Sequence, residues 1–200
     1  MGKVLVINGN PDPESLSGAM ASAYKDGVEK AGGACQVIHL HELEFDPILH
    51  YGFRKRIPFE PDLEMAQQAI RDCAHLVFIY PVWWGTYPAL LKGFIDRVFM
   101  PGFAFQSVPD SVHWIKLLKG RSGRIIESMD APMWFYEDVY KSPAKNSLSI
   151  AVMNYCGIKP VDYTVFRPIK GSTHEDRQAW IKEVEELGVE DYKQVMVKTS

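Results

Sequence analysis

The chain has 200 residues, 46% hydrophobic and 24% charged, a composition that excludes disorder for most of its length and suits one domain over residues 1–200. Its 22 basic and 25 acidic residues give a net charge of -3 without a basic block, so nucleic acid and anionic membranes are not expected partners. The opening residues lack a leader pattern and the apolar runs are shorter than a membrane span, so we predict a soluble protein without membrane insertion.

Apolar runs and helical periodicity alternate along the chain, and they predict strands that alternate with helices. The predicted elements are strand Lys3–Asn8, a helix from Ser15 or Ser17 to Ala31, strand Cys35–Leu40, helix Asp62–Cys73, strand His75–Tyr80, helix Pro88–Phe99, strand Arg124–Met129, helix Asn146–Tyr155, strand Val161–Phe166 and helix Thr173–Leu187. Turn-forming residues separate most of these elements.

The predicted strands are continuous apolar runs, and the helices between them are long enough to act as crossovers. Both properties indicate an α/β fold with a parallel sheet covered on both faces. Ligands of such sheets bind beyond the carboxyl ends of the strands. We therefore expect functional residues in the loops 8–17, 80–88 and 129–140.

The loop after the first strand has neither the glycine fingerprint of a dinucleotide-binding Rossmann unit nor the lysine of a Walker A motif. It offers the hydroxyl groups of Ser15 and Ser17 at the start of a helix. Free N–H groups and the positive end of the helix dipole there suit a phosphate. Hydroxyl residues also cap helices without binding any ligand, which is the commoner role, so both interpretations stay open.

Two adjacent tryptophans, Trp83 and Trp84, follow the third strand in a chain that is 12% aromatic. Their indole faces can form a wall against a flat ligand, while backbone N–H groups of the turn donate to a heterocycle. The alternative is that these indoles cover the core or form a dimer interface.

Cysteine and histidine give little indication of a metal site. The three cysteines, Cys35, Cys73 and Cys156, are odd in number and widely spaced, which argues against disulfides and zinc and favours a reducing, cytoplasmic compartment. His39 and His41 alternate with Cys35 along a strand, but the spacing fits zinc poorly, so we predict no metal.

A basic run, Arg54, Lys55 and Arg56, lies in the proline-containing loop before the second helix. These cations can meet the phosphate of a nicotinamide nucleotide. A solvated loop charge is the simpler interpretation.

The stretch Pro81–Phe99, PVWWGTYPALLKGFIDRVF, resembles the signature of flavodoxin-like NAD(P)H:quinone oxidoreductases, which include the DT-diaphorase type and the ancillary oxidoreductases of potassium efflux systems. The loop from Asn10 to Ser17, the turn 155–157 and the helix around Arg177 are similar to the same family, so the resemblance covers most of the chain. It implies a flavodoxin-like three-layer sandwich with a five-stranded parallel sheet in the order 2-1-3-4-5.

The resemblance implies a flavoenzyme that takes hydride from NADH or NADPH onto the flavin N5 and passes two electrons to a quinone or a similar flat acceptor. It also implies a homodimer, for which the aromatic-rich loops 99–114 and 131–140 are the expected interface. The alternative is a flavin-binding module that regulates a partner protein or carries electrons.

Carried over position by position, the resemblance assigns flavin contacts in three loops. Ser15, Leu16 and Ser17 match the residues that hold the flavin phosphate, with Asn10 replacing a frequent histidine; Pro81, Val82, Trp83, Trp84 and Gly85 match the loop at the isoalloxazine edge; Met129, Asp130, Ala131 and Pro132 match the third flavin loop.

Two single residues carry further expectations. Tyr136 matches a tyrosine near the ring and is the candidate catalytic group. Arg177 matches a basic residue near the adenosine diphosphate of FAD-using members, and it favours FAD over FMN. The chain departs from the DT-diaphorase type at Asp130, where that type has a glycine pair, and it lacks the histidine that follows the tyrosine. The source of a proton at the site is therefore left open.

Overall fold

Five parallel strands form the central sheet of the computed structural model, which describes residues 2–199. In chain order the strands are β1 (Lys3–Asn8), β2 (Ala34–His39), β3 (Cys73–Pro81), β4 (Phe105–Ser107), β5 (Trp114–Lys116), β6 (Ser122–Ser128) and β7 (Val161–Phe166). The sheet has the order β2-β1-β3-β6-β7. This is the predicted arrangement 2-1-3-4-5, because β4 and β5 form a separate antiparallel hairpin that shifts the numbering.

Helices cover both faces of the sheet, which confirms the predicted α/β fold. They are α1 (Leu16–Lys30), α2 (Pro61–Asp72), α3 (Ala89–Val98), α4 (Pro143–Asn146) and α5 (His174–Thr199). Val77 and Ile79 of β3 lie in the core under α1 and α5, whereas Phe78 and Tyr80 face α2 and α3. A strand covered on both sides needs such an unbroken apolar run. Within residues 2–199, no helix combines the length and apolarity needed to cross a membrane.

A buried ion pair attaches α5 to the sheet. Asp191 is 1% exposed and accepts hydrogen bonds from Arg124 of β6, one of them at 2.8 Å, and from the Tyr24 hydroxyl at 2.5 Å. His75 Nε2 lies 3.5 Å from the same carboxylate. Burial acts to raise the pKa of Asp191, but the hydrogen bonds and charges of Arg124 and His75 outweigh it and hold that pKa well below its usual range. The carboxylate therefore stays ionised beside its arginine.

Helix α5 continues to Thr199, so the predicted end at Leu187 is wrong. Gly188 follows that residue and is typical of a helix end. In the structure Gly188 instead allows a close helix crossing, because a Cβ there would lie 2.3 Å from Tyr24 O of α1. A Cβ on Gly27 of α1 would likewise lie 1.9 Å from Glu185 O. The crossing brings the last turns of α5 onto the core.

Most aromatic side chains of loop 99–114, which was expected at a dimer interface, pack against the rest of the same chain. It leads into the β4–β5 hairpin, and Phe103 is only 8% exposed. Trp114 stacks on Tyr155 with ring centroids 4.4 Å apart, and Phe105 meets the same tyrosine edge-on at 5.1 Å. Most of these aromatic side chains therefore pack within the chain. Because the β4–β5 hairpin was not predicted from the sequence, this packing was not predicted either.

The segment between β6 and β7 contains wide helical turns. The predicted helix Asn146–Tyr155 is divided between α4 and a π-helical segment, Ser147–Asn154. A second π-helical segment covers Phe135–Val139, inside the predicted loop 129–140. π-helical turns are frequently found at functional sites.

Candidate functional site

The loops that follow β1, β3, β6 and β7 meet at one edge of the sheet, because the carboxyl ends of parallel strands lie together. Backbone hydrogen bonds connect them to neighbouring strands. Gly9 N donates to Ile79 O at 2.9 Å, and Val82 N donates to Ser128 O at 2.8 Å. The three loops selected from the sequence are thus brought together, with the β7–α5 loop as a fourth.

The first loop is held by its own side chains. Ser15 caps α1, because its Oγ accepts from Gly18 N at 3.2 Å, so the capping interpretation is confirmed. Ser17 is 2% exposed, and its Oγ accepts from Asn10 Nδ2 at 3.4 Å. Asn10 is itself buried, with its Oδ1 accepting from Asp12 N at 3.0 Å. Asn10 and Ser17 therefore form a small buried polar pair, and Ser15 separately caps the helix.

Capping leaves part of the helix end available. The N–H groups of Leu16 and Ser17 donate to no atom of residues 2–199. They lie at the positive end of the α1 dipole, where an anion is stabilised. A groove beside this helix end is also lined by His39 and His41, which sequence reasoning treated only as weak metal candidates. Their position beside the first loop follows from β2 lying next to β1, an adjacency that the predicted strand order contains, but this consequence for the histidines was missed.

The second loop is a strained turn that carries an exposed indole. Trp83 N donates to Thr86 O at 2.7 Å, and the reverse hydrogen bond is 3.0 Å. Both central residues have positive φ, 53° at Trp84 and 77° at Gly85, as in a type I′ turn. Gly85 suits this conformation, but Trp84 pays about 1–2 kcal/mol of backbone strain for it.

The exposure of the two tryptophans decides between the earlier alternatives. Trp84 is 100% exposed and Trp83 is 47% exposed, so the interpretation in which this indole pair covers the core is wrong for Trp84. Pro81 and Val82 are half-buried where β3 ends, and Gly85 is buried, with the ring of Tyr140 3.2 Å from the position of a Cβ. A ligand wall and a protein interface are the roles that this exposure leaves.

The third loop turns its acidic residue toward the loop after β7. Asp130 is exposed, and its Oδ1 accepts a hydrogen bond from Lys170 N. Met129 is buried, Ala131 is half-buried and Pro132 is exposed. One oxygen of the carboxylate that replaces a glycine is thus engaged by backbone.

Behind this loop lies a buried carboxyl group that sequence reasoning missed. Glu127 of β6 has 0% exposure and accepts from three tyrosine hydroxyls. These are Tyr80 at 2.6 Å, Tyr163 at 2.8 Å and Tyr136 at 3.1 Å. The sequence signal that could have found it is an acidic residue next to two buried apolar positions of a strand, in RIIES.

Tyr136 is only 1% exposed, so its hydroxyl faces the interior. Besides donating to Glu127, this hydroxyl accepts from Lys145 N at 3.2 Å. Burial raises the pKa of the Tyr136 phenol, and the nearby Glu127 adds to the shift. The phenol therefore stays protonated at neutral pH, and its role as the catalytic group stays a prediction.

Burial also raises the pKa of Glu127, although the three hydroxyl donors and the charge of Lys145 act to lower it. The Lys145 ammonium lies 4.5 Å from the centre of the Tyr163 ring. The arrangement can hold a proton in the interior next to the third loop. No arginine pairs with Glu127 among the ion pairs of the described chain.

Arg177 lies on the first turns of α5 and supports the β7–α5 loop. Its Nε donates to Ser172 Oγ at 2.9 Å, and that hydroxyl donates to Ile169 O at 2.7 Å. Lys170 of the same loop donates its backbone N–H to Asp130 of the third loop, so Arg177 lies at the rim of the site. Its expected contact with a diphosphate stays a prediction.

Within residues 2–199, no three histidine, cysteine or acidic side chains are grouped as a metal site. All three cysteines are free thiols. Burial raises the pKa of Cys35 to about 12 and that of Cys156 to about 12. Neither is suited to act as a thiolate nucleophile.

Comparison with known protein families identifies the family of this chain. Residues 2–187 match the family model of the flavodoxin-like fold, so the chain belongs to that family. The fold expected from the stretch Pro81–Phe99 is thereby confirmed.

The chain is also similar to individual oxidoreductases. It is 26% identical over 185 residues to an uncharacterized NAD(P)H oxidoreductase of Haemophilus influenzae, covering 89% of this chain and 90% of that protein. It is 26% identical over 123 residues to the human ribosyldihydronicotinamide dehydrogenase [quinone], covering 52% of this chain and about half, 53%, of the longer protein. Among solved structures, an FMN-dependent NADH-azoreductase from Bacillus anthracis in complex with FMN superposes with a TM-score of 0.73 at 20% identity, covering 96% of this chain and 100% of that one. The last likeness concerns the fold alone.

Proposed function

We propose that the protein is a flavin-dependent NAD(P)H oxidoreductase that reduces a quinone or a similar flat acceptor. The observation that carries the proposal is the strained turn at Trp84, whose fully exposed indole stands at the strand ends beside a helix start with free N–H groups. Strain of this kind persists where it serves a site. The names of the Haemophilus and human relatives support the reaction class.

The residues present fit a flavin. The N–H groups of Leu16 and Ser17, with the hydroxyls of Ser15 and Ser17, would hold its phosphate at the α1 dipole. The turn 81–85 and the loop 129–132 would flank the ring, with Trp84 as a wall that excludes water. A flavin held there would supply hydride transfer from NAD(P)H at its N5 and two-electron reduction of the acceptor.

The protein's part is then to orient and to hold protons. We propose Tyr136 as a positioning residue, because its buried hydroxyl joins the π-helical segment Phe135–Val139 to Glu127. The Glu127 carboxyl would hold a proton near the third loop, where the family's histidine is lacking. NADH and NADPH are equally compatible with the described site.

FMN is the first flavin to test. The preference for FAD depended on Arg177, which uses its Nε on Ser172. The azoreductase with the same fold is in complex with FMN. A homodimer and a cytoplasmic location stay predictions. For a homodimer, exposed Trp84 and Trp134, at 100% and 62%, are better interface candidates than buried Phe103.

The alternative is a flavin-binding module that regulates a partner or carries electrons, which the exposed indole of Trp84 also suits. The deciding experiment is an absorbance spectrum of the purified protein, the mass of any released flavin, and NAD(P)H oxidation with menadione as the acceptor. A yellow protein that consumes NAD(P)H only with menadione supports the oxidoreductase. A yellow protein without this activity supports the module, and a chain that binds neither FMN nor FAD contradicts both.

The variant Trp84→Asn tests the wall. Asn tolerates positive φ, so we expect the free energy of unfolding to rise by up to about 1 kcal/mol while FMN affinity falls several-fold. The control is Phe53→Asn. Phe53 is another exposed aromatic residue, 69% accessible, and it is far in sequence from the strand ends. Equal FMN affinity in Trp84→Asn and the control would remove Trp84 from the site.

A further inference from the structure

A second cavity, of about 270 Å³, lies between α2, α3 and the loop that carries the basic run 54–56. Arg71 on its wall lies just before β3 begins, and residues 100–103 follow the end of α3. The cavity is therefore near the edge where β3 starts, opposite the strand ends of the candidate site. Its walls combine apolar side chains, among them Ile57, Phe59 and Phe103, with three arginines.

One of these arginines belongs to the framework of the protein. Arg97 is 2% exposed and donates to both carboxylate oxygens of Glu60, at 3.2 and 2.6 Å. It also donates to the carbonyl oxygens of Asp46 and Pro58. Its charge is compensated and its donors are used, so it builds the cavity wall rather than a binding group.

The other two arginines keep their charge uncompensated. Neither Arg56 nor Arg71 has a carboxylate within ion-pair distance in the described part of the chain. Arg56 is held in place by one hydrogen bond, from Nη2 to Pro101 O at 2.9 Å. Arg71 lies over the Phe103 ring at 4.9 Å and makes only long hydrogen bonds, 3.4 and 3.5 Å, to two glutamines of α2. Because a guanidinium has five N–H donors, both retain donors for a ligand.

We propose that this cavity binds a small carboxylate carried on an apolar body, such as an aryl acid. The carboxylate would meet Arg56 and Arg71, whose planar guanidinium groups match it in geometry, and the body would lie against Ile57, Phe59 and Phe103. The volume is at the low end for ligand cavities, which limits the body to one or two rings. Arg56 of the basic run thus serves a site separate from the proposed flavin site, and the proposal stands whether or not the chain is an oxidoreductase.

The test is titration calorimetry of the full chain with 2-naphthoate, with its neutral analogue 2-naphthamide and with inorganic phosphate alone. We expect 2-naphthoate to bind more tightly than either of the others, because it alone offers both the charge and the rings. Arg56→Gln and Arg71→Gln should each weaken 2-naphthoate about fivefold and leave 2-naphthamide unchanged. Both side chains are exposed, so the variants are expected to fold.

Arg54→Gln is the matched control, because Arg54 lies in the same loop but not on the cavity wall. It should bind 2-naphthoate like the unaltered chain. The proposal is overturned if 2-naphthoate does not bind, if phosphate binds as tightly, or if Arg54→Gln weakens binding as much as the other two variants.

Discussion

Two buried carboxyl groups on opposite faces of the sheet show how differently one protein can treat the same chemical group. Asp191, on α5, has Arg124 as its partner and a lowered pKa. Glu127, on the α2 and α3 side, has three tyrosine hydroxyls and a raised pKa. Arg124 and Glu127 are three positions apart on β6, so their side chains leave the strand on opposite faces.

The difference separates structural from chemical use of a buried charge. A guanidinium fixes Asp191 in one ionisation state, which suits a permanent helix attachment. Hydroxyl groups satisfy Glu127 in either state, since a phenol can both donate and accept. The carboxyl group with the raised pKa lies next to the candidate site, and the one held ionised near neutral pH lies on the opposite face.

Removing the charge of Asp191 should have the largest effect. Asp191→Asn leaves Arg124 buried without a counter-charge, and we expect the free energy of unfolding to fall by about 3–5 kcal/mol. Urea denaturation at pH 7 measures it. Glu190→Gln, on the exposed neighbouring residue, should change stability little. A loss below that of the control variant would mean that the ion pair contributes nothing.

Glu127→Gln should cost less, about 1–2 kcal/mol, because the amide still accepts from the tyrosines. The two carboxyl groups should also differ in the sign of their pH dependence. A raised pKa means that the folded chain binds the proton more tightly, so the contribution of Glu127 is present below its unfolded value of about 4.3 and is lost as pH rises through the folded value.

Asp191 behaves in the opposite way. Its lowered pKa makes its contribution present above the unfolded value of about 3.9 and lost as pH falls through the folded value. The free energy of unfolding, measured by urea denaturation from acid to neutral pH, should therefore no longer decline on the alkaline side in Glu127→Gln. In Asp191→Asn it should lose part of its decline toward acid pH. If the free energy of unfolding depended on pH in the same way in both variants, the difference between the two carboxyl groups would be contradicted.

Tyr163→Phe should have the smallest effect, about 1 kcal/mol, because two hydroxyl donors remain. With one donor fewer, the pKa of Glu127 should rise further. Infrared absorption of the protonated carboxyl group, followed against pH and assigned with Glu127→Gln, measures this shift. Tyr51→Phe removes a hydroxyl from an exposed ring and should leave the titration unchanged.

Much of the fold could be predicted because local pattern and tertiary burial agree. The segments Lys3–Asn8 and Val161–Phe166, both rich in β-branched residues, became strands with the predicted bounds. Prediction was wrong where a residue had a second use: Gly188 is typical of a helix end, but close packing against Tyr24 makes it part of a longer helix.

The site was predicted as loops but not as contacts. Strand ends located the tryptophan turn and the first loop, since parallel topology alone brings them together. The three tyrosines on Glu127 come from β3, β7 and a π-helical segment, and nothing in their spacing along the chain relates them. The cavity beside Arg71 likewise depends on how a long loop folds back over two helices.

The glycine crossing of α1 and α5 also bears on motion. Because backbone atoms occupy the space of a Cβ at Gly27 and Gly188, sliding one helix along the other would drive a side chain into that space. Shear between packed helices is a common way for domains to rearrange. The close glycine contacts prevent such sliding between α1 and α5. We expect α1 and α5 to act as a rigid base, so that rearrangement on ligand binding falls to the loops and to the α2 and α3 side.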